Sequence, residues 1–314
     1  MKTSIKILAL AMLPVAAACG SKGGDVTTPP DTTIVTPPPP PPPPTGGTVN
    51  VFAAGNISKC SNGNAAATAG LIDTSAAAVM MLGNAADSGT TADYACYDAA
   101  WGKFKTITHP TVGNHDYLLD PTAAPYFAYF GASAGTAPDG WYSFDVGTWH
   151  VVVLNTEEGG NSNVYKSGSP QQMWLSADLQ AHASAKCTMA VWHRPRFLSS
   201  TTAGYVENTT LQSTWAILDG AGVDVILNAG QYQYERMVPL TAAGARDDAK
   251  GIVQFNVGLG GESAGPTPTV VSPNSAIINM SFGVLKLTLK DGAYDYSYLT
   301  APGTVGDTGS GICH

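Results

Sequence analysis

The sequence predicts an α/β protein: a mostly parallel sheet with helices outside it and a second sheet packed against the first. Three observations carry this. Short apolar runs alternate with helix-like segments through the first two thirds of the chain, the pattern of parallel strands joined by crossover helices. Five of those runs end in short polar signatures at the C-terminal end of a strand, where open α/β sheets bind ligands. The last third turns mostly to strands, which calls for the second sheet.

The elements follow in order. Val49–Ala54 is an apolar run ending at Gly55-Asn56. Ala65–Ala77 has helical composition. Val79–Leu82 ends at Gly83-Asn84. Thr91–Trp101 reads as a helix. Thr108–Val112 is a strand ending at Gly113-Asn114-His115-Asp116. Trp141–Asp145 and Trp149–Asn155 form a hairpin about Gly147. Ser169–His182 is a helix with Ser169 as N-cap, Pro170 at its first position and an apolar face of Met173, Trp174, Ala177 and Leu179. Cys187–Trp192 is a buried strand running into His193-Arg194-Pro195-Arg196. Leu211–Leu218 is helical, and Val223–Leu227 is a strand that leads to Gly230-Gln231-Tyr232-Gln233. Strands at Glu235–Leu240, Ile252–Leu259 and Phe282–Lys290 follow, the last paired with Tyr294–Leu299 through Asp291-Gly292. The five polar signatures are expected in register at one edge of one sheet.

The N-terminus is an address rather than fold. Lys2 and Lys6 precede the apolar stretch Ile7–Ala18, the layout of a signal peptide over residues 1–18. Val15-Ala16-Ala17-Ala18-Cys19 resembles a bacterial lipobox, with Ala16 where Leu is usual, so Cys19 is the expected lipidation site. Gly20 follows it, with no Asp to hint at inner-membrane retention. The expected location is the bacterial cell envelope, the outer membrane in a diderm host. Residues 19–47 form a Ser-, Thr-, Gly- and Pro-rich stalk, with eight consecutive prolines at Pro37–Pro44 favouring polyproline II. One domain, 48–314, remains. Cys60, Cys96, Cys187 and Cys313 are even in number, as expected of disulfides in an exported protein. Three pairings exist, and Cys60–Cys96 with Cys187–Cys313 is favoured.

Composition narrows the function. The chain has 15 Lys and Arg against 23 Asp and Glu, a net charge of −8, and only 12% charged residues. Loss of Lys2 and Lys6 takes the mature chain to −10. Nucleic-acid affinity rests on neutralising phosphates, so a nucleic-acid partner is excluded. Hydrophobic residues at 44% suffice for a core and argue against a disordered chain. No apolar run reaches the roughly 20 residues of a membrane span.

The strand-end set resembles the calcineurin-like metallophosphoesterases, the superfamily that includes the purple acid phosphatases. Gly113-Asn114-His115-Asp116, Val191-Trp192-His193-Arg194-Pro195 and Tyr234-Glu235-Arg236 stand in the expected order. Asp87-Ser88-Gly89-Thr90, Cys96-Tyr97-Asp98 and Trp101-Gly102 look like the secreted acid-phosphatase-like branch. The resemblance covers most of residues 49–300. It implies a four-layer α/β/β/α sandwich with two central mixed sheets, and two ions of iron, zinc or manganese that clamp phosphate and activate a hydroxide.

The sequence departs from that pattern at the metal positions. Asn56 and Asn84 stand where the family has carboxylates, and Ser58 where many members have a His. Gln231 and Gln233 stand for the His pair of the fifth loop. Asn114 and His193 are kept as residual ligands, and His115 as the vestigial general acid. Hard divalent cations need anionic oxygen, and zinc and iron prefer imidazole and carboxylate to neutral amides. The expectation is no metal or one weakly held ion. Water left near its pKa of 15.7, rather than about 7, lacks on the order of 12 kcal/mol of activation.

The replacements are conservative in shape. They either keep a polar binding pocket or let a formerly ionic site fold without its ions, since unpaired buried carboxylates are costly. Arg194 and Arg196 are candidate phosphate-binding residues, with pairing to a carboxylate as the alternative. Arg236 reads as an internal ion-pair partner. Asp87, Asp98 and Asp116 read as turn caps. Gly258-Leu259-Gly260-Gly261 is a strand-end turn, not a phosphate loop. Three functions remain open: a catalytically degenerate module binding a phosphate ester or partner; a phosphohydrolase with a metal site rebuilt from Asp73, Asp87 or Asp116; and a structural subunit at the cell surface.

Overall fold

A computed structural model describes residues 47–157, 166–202, 206–301 and 303–314. The signal peptide, Cys19 and the proline stalk lie outside the described residues. The elements are β1 (Val49–Ala54), α1 (Asn64–Ala69), β2 (Ala76–Leu82), α2 (Thr91–Trp101), β3 (Thr108–Thr111), α3 (Ala124–Phe130), β4 (Tyr142–Val146) and β5 (Trp149–Val153). After them come α4 (Pro170–Ala181), β6 (Cys187–Val191), α5 (Gln212–Gly220), β7 (Val225–Asn228), β8 (Tyr234–Met237) and β9 (Val253–Val257). The chain closes with β10 (Ser275–Asn279), β11 (Gly283–Lys290), β12 (Ala293–Thr300) and β13 (Thr304–Ile312).

Two mixed sheets result. One has the order β13-β12-β11-β1-β2-β3, the other β10-β8-β9-β7-β6-β5-β4. Strands β1, β2 and β3 are mutually parallel, as are β5, β6, β7 and β9. Apolar side chains from both sheets, among them Val51, Leu285, Val151, Met189, Leu227 and Phe255, share one buried cluster. A separate cluster covers the other face of the second sheet, where Val152, Ala190 and Ile226 meet Leu175 and Leu179 of α4 and Trp215 and Leu218 of α5. Helices α1, α2 and α3 cover the first sheet with an aromatic set including Tyr94, Tyr97, Trp101 and Phe130. The layers are α/β/β/α. Tyr234 and Tyr298, one from each sheet, stack with centroids 3.9 Å apart.

The predicted elements recur with four differences. The helix at 64 stops at Gly70, and Ala76 to Ala78 begin β2 beside β1. Alanine composition favours helix, but pairing with β1 decides the local structure. Helix α4 is capped as expected, with Gln172 N donating to the Ser169 hydroxyl. Its buried face is Gln171, Gln172, Leu175 and Leu179, however, and Met173 is 62% exposed. The buried glutamines make this possible by bonding: Gln171 bonds the backbone of Asn155 at both ends of its amide. The closing strands join the first sheet through β11, so the second sheet is built from the middle of the chain, β4 to β10. Elements α3, β10 and β13 carry no clear pattern; β13 reads Thr-Val-Gly-Asp-Thr-Gly-Ser-Gly-Ile.

Both favoured disulfides are present, Cys60–Cys96 and Cys187–Cys313. The first ties the loop after β1 to α2. The second ties the C-terminus to the start of β6. Among the described residues no helix is long and apolar enough to cross a membrane.

Candidate functional site

The five strand-end loops meet, but not at one edge of one sheet. Those after β1, β2 and β3 leave the first sheet, and those after β6 and β7 leave the second. The two sheets bring them together face to face. Gly55 N donates to Val257 O at 2.9 Å, and Thr111 Oγ1 donates to Leu154 O at 2.7 Å, joining the sheets beneath the site.

Asn56 and Asn84 sit where strand turns into loop, both in the left-handed region (φ 52° and 55°). Asparagine tolerates this better than most residues. Gly83 (φ 88°) packs so tightly that a Cβ there would lie 2.4 Å from His193 Nδ1. A Cβ on Gly113 would lie 2.2 Å from Asn84 Oδ1 and 2.5 Å from Asn84 N. These glycines let the loops touch.

The amides are consumed by one another and by the backbone. Asn56 Nδ2 donates to Ala229 O (2.8 Å) and Gly258 O (3.1 Å). Asn56 Oδ1 accepts from Asn84 Nδ2 at 2.9 Å. Asn84 Oδ1 accepts from His115 N at 2.8 Å. Asn56 and Asn84 are buried. The chain of bonds fixes which end of each amide faces which way.

His193 crosses from the second sheet to the first, with Nδ1 donating to Leu82 O at 2.8 Å. Its Nε2 lies 3.0 Å from Asn114 Oδ1. Burial drives its pKa down to about 3 despite the Leu82 bond, so the ring is neutral. His193 and Asn114 are therefore two uncharged groups, and neither offsets the charge of a cation.

The side chains of Gln233, Arg194 and Arg196 are bonded elsewhere. Gln233 Nε2 donates to Ser199 O (3.1 Å) and Glu235 Oε2 (2.6 Å), within the second sheet's own loops. Gln231 contributes its backbone oxygen to Asn256 Nδ2 at 3.0 Å. Arg194 forms a two-point ion pair with Glu157, through Nε and through Nη2 at 2.8 Å from Oε2. Burial raises the pKa of Glu157, and Arg194 opposes that rise. Arg196 is fully buried and turned into the outer cluster, over the rings of Phe197 and Trp215, with Nη2 donating to Glu207 (2.9 Å) and Ala242 O (2.7 Å). Arg236 pairs with Asp307 at 2.8 Å.

Asp116 is a cap. Its Oδ2 accepts from Gly113 N (2.8 Å) and Asn84 N (3.1 Å), and its Oδ1 from Tyr94 OH (2.6 Å). It locks the second and third loops together, and complete burial lifts its pKa to about 6. Asp98 accepts from Tyr129 OH at 2.6 Å. Asp73 lies just before the start of β2, at the opposite end of that strand from its polar loop, and pairs with Lys286 at 2.9 Å.

Sequence reasoning missed Glu262 and Tyr232. Glu262 is 3% exposed, its Oε1 accepts from Tyr232 OH at 2.7 Å, and it stands 3.4 Å from His115 Nδ1. Burial lifts its pKa to about 8. Its only sequence signal is its place just after Gly260-Gly261, in the loop that follows β9.

Comparison with solved structures now decides the fold. No family model and no curated protein matches the chain. A purple acid phosphatase from yellow lupin superposes with a TM-score of 0.68 at 17% identity, over 86% of this chain and 55% of that one. The fold is the metallophosphoesterase fold. GAP50 of Plasmodium follows at 0.62 and 14%, over 85% of this chain and 89% of its own. A dimetal phosphatase from Danio rerio gives 0.55 and 12%, over 85% and 99%. The chain thus spans little more than half the length of the lupin enzyme. The six residues that the sequence resemblance assigns to metal positions, Asn56, Asn84, Asn114, His193, Gln231 and Gln233, do not fit two ions: they are one neutral imidazole and five amides, and the two buried asparagines already bond one another.

Proposed function

We propose that this protein is an exported, lipid-anchored module in which the metallophosphoesterase fold persists as a scaffold without the two-metal hydrolysis. The observation that carries the reading is the bond from Asn84 Nδ2 to Asn56 Oδ1 at 2.9 Å. Two carboxylates in these positions would repel across that distance unless ions lay between them. Two amides satisfy each other and close the space.

Of the two ligand classes, a partner molecule is favoured over a phosphate ester. Arg194 is held by Glu157, and Arg196 faces the outer cluster. Both disulfides fit export. The superposed Plasmodium protein is described as the anchor in an inner membrane complex. A comparable anchoring role here follows by analogy of fold, with Cys19 and the proline stalk holding the domain off the membrane.

The test is metal content and turnover of the full chain. After incubation with iron, zinc or manganese and desalting, the six family positions hold no pair of ions. Hydrolysis of an aryl phosphate and an aryl diester stays at the rate of free metal. Two ions per chain, with hydrolysis that disappears in His193→Ala, would overturn the reading.

A further inference from the structure

Among the described residues, three groups of side chains have the composition of a cation site. Two are already committed. The sulfurs of Cys187 and Cys313 form a disulfide. Both nitrogens of His150 are bonded, to Asp145 (2.9 Å) and Asp178 (2.8 Å). The third group is Asp87, His115 and Glu262, whose ligand atoms all lie within 4.8 Å of one another.

We propose that Asp87, His115 and Glu262 form a site for one zinc-class divalent cation, beside the amide cluster and using none of its six positions. The strongest sign is Glu262. It is buried, yet its Oε2 meets no hydrogen-bond donor. Next to it, the buried Nδ1 of His115 also lacks a hydrogen-bond partner, at 3.4 Å from Glu262 Oε1. Orphaned buried polar atoms are uncommon and ask for a partner. One cation satisfies both at once.

The donor set suits the ion. Zinc binds imidazole nitrogen and carboxylate oxygen at about 2.0–2.2 Å, commonly with three protein ligands and water in the fourth place. Two carboxylates offset its double charge, which the amides cannot do. The second shell is already present: Tyr232 OH bonds Glu262 Oε1, and the Glu262 backbone is held by Asn56 O (2.8 Å) and Asn62 Nδ2 (2.9 Å). Such outer bonds orient ligands. Asp87 is 27% exposed and closes on the ion by a side-chain rotation. Lys59 pairs with Asp87 at 3.3 Å and is 41% exposed, so it can swing into solvent. This site needs no hydrolysis, so it stands apart from the proposed function.

The test is a zinc titration of the tag-free full chain, stripped with chelator, in competition with a chromophoric chelator. One ion per chain is expected. Glu262→Gln and Asp87→Asn weaken it by about 100-fold or more, since loss of even an outer-shell partner costs roughly 10–100-fold. His193→Gln leaves it unchanged. Lys59→Ala tightens it about two- to fivefold, the worth of an exposed ion pair. Asp87 is partly exposed, so matching unfolding curves of its variant and the parent in chelator show that ligand rather than fold was lost. An ion lost in His193→Gln but kept in Glu262→Gln overturns the proposal. No ion also overturns it, and leaves the proposed function standing. Two ions with turnover overturn both.

Discussion

Restoring a carboxylate to the amide cluster should destabilise the protein. In Asn84→Asp the shape is kept, but the side chain loses its two donated bonds, to Asn56 Oδ1 (2.9 Å) and Asn114 Oδ1 (3.3 Å). An acceptor then faces an acceptor at a position 2% exposed. An orphaned buried polar group costs about 1–3 kcal/mol, more when charged. The bond from His115 N survives and offsets part of this. The net expectation is about 3 kcal/mol, or roughly 6–12 °C in Tm for a domain of this size. The pH dependence has a definite sign. Burial beside acceptors raises the new carboxyl's folded pKa above its unfolded value of about 3.9. The neutral acid can donate to Asn56, so the penalty is small below about pH 4 and grows as pH rises through the folded pKa. Urea unfolding of both proteins in chelator, at pH 4 and pH 7, measures it. Equal stability at pH 7, or a penalty that shrinks with rising pH, would refute the claim that the amides replace ions by bonding each other.

Three further outcomes follow from the structure. Cys313→Ser opens a disulfide whose cysteines are 126 residues apart, and the chain-entropy account gives a loss of about 5 kcal/mol; an unchanged denaturant midpoint would contradict it. Arg194→Ala leaves Glu157, 6% exposed, without this cation; the Arg194 side chain is 43% exposed, so solvent screens the pair and the loss is about 1–3 kcal/mol, which calorimetry should show as a lower Tm. His150 lies between Asp145 and Asp178, stacked at 3.8 Å on His182. Burial lowers its pKa, but the bonds to the two carboxylates outweigh this and leave it raised. Its stabilisation is complete below the unfolded pKa of about 6.5 and lost as pH rises through the higher folded value. The stability gap between the parent and His150→Gln should therefore narrow above pH 6.5; a constant gap would show that no proton is involved.

The sequence alone was enough for the α/β class and the strand-end loops. Hydrophobic periodicity reports which segments are buried, and Gly-Asn or Gly-Asn-His-Asp after a strand reports a turn whose backbone needs small or left-handed-tolerant residues. It was also enough for the favoured disulfide pairs and the Ser169 cap, both set by local chemistry and chain order. Partnership across the fold was decided only in three dimensions. Glycines 83 and 113 look like turn residues until the His193 and Asn84 side chains are seen against them. Arg194 and Arg196, two residues apart, point to different faces of the second sheet because one is drawn to buried Glu157 and the other stacks on Trp215. Strands β11 to β13 belong to the first sheet because β11 pairs with β1, some 230 residues earlier. Glu262 gains its orphaned oxygen only from the packing of the β9 loop against His115 and Tyr232. Periodicity encodes how much of a residue is buried; only the tertiary structure decides against what.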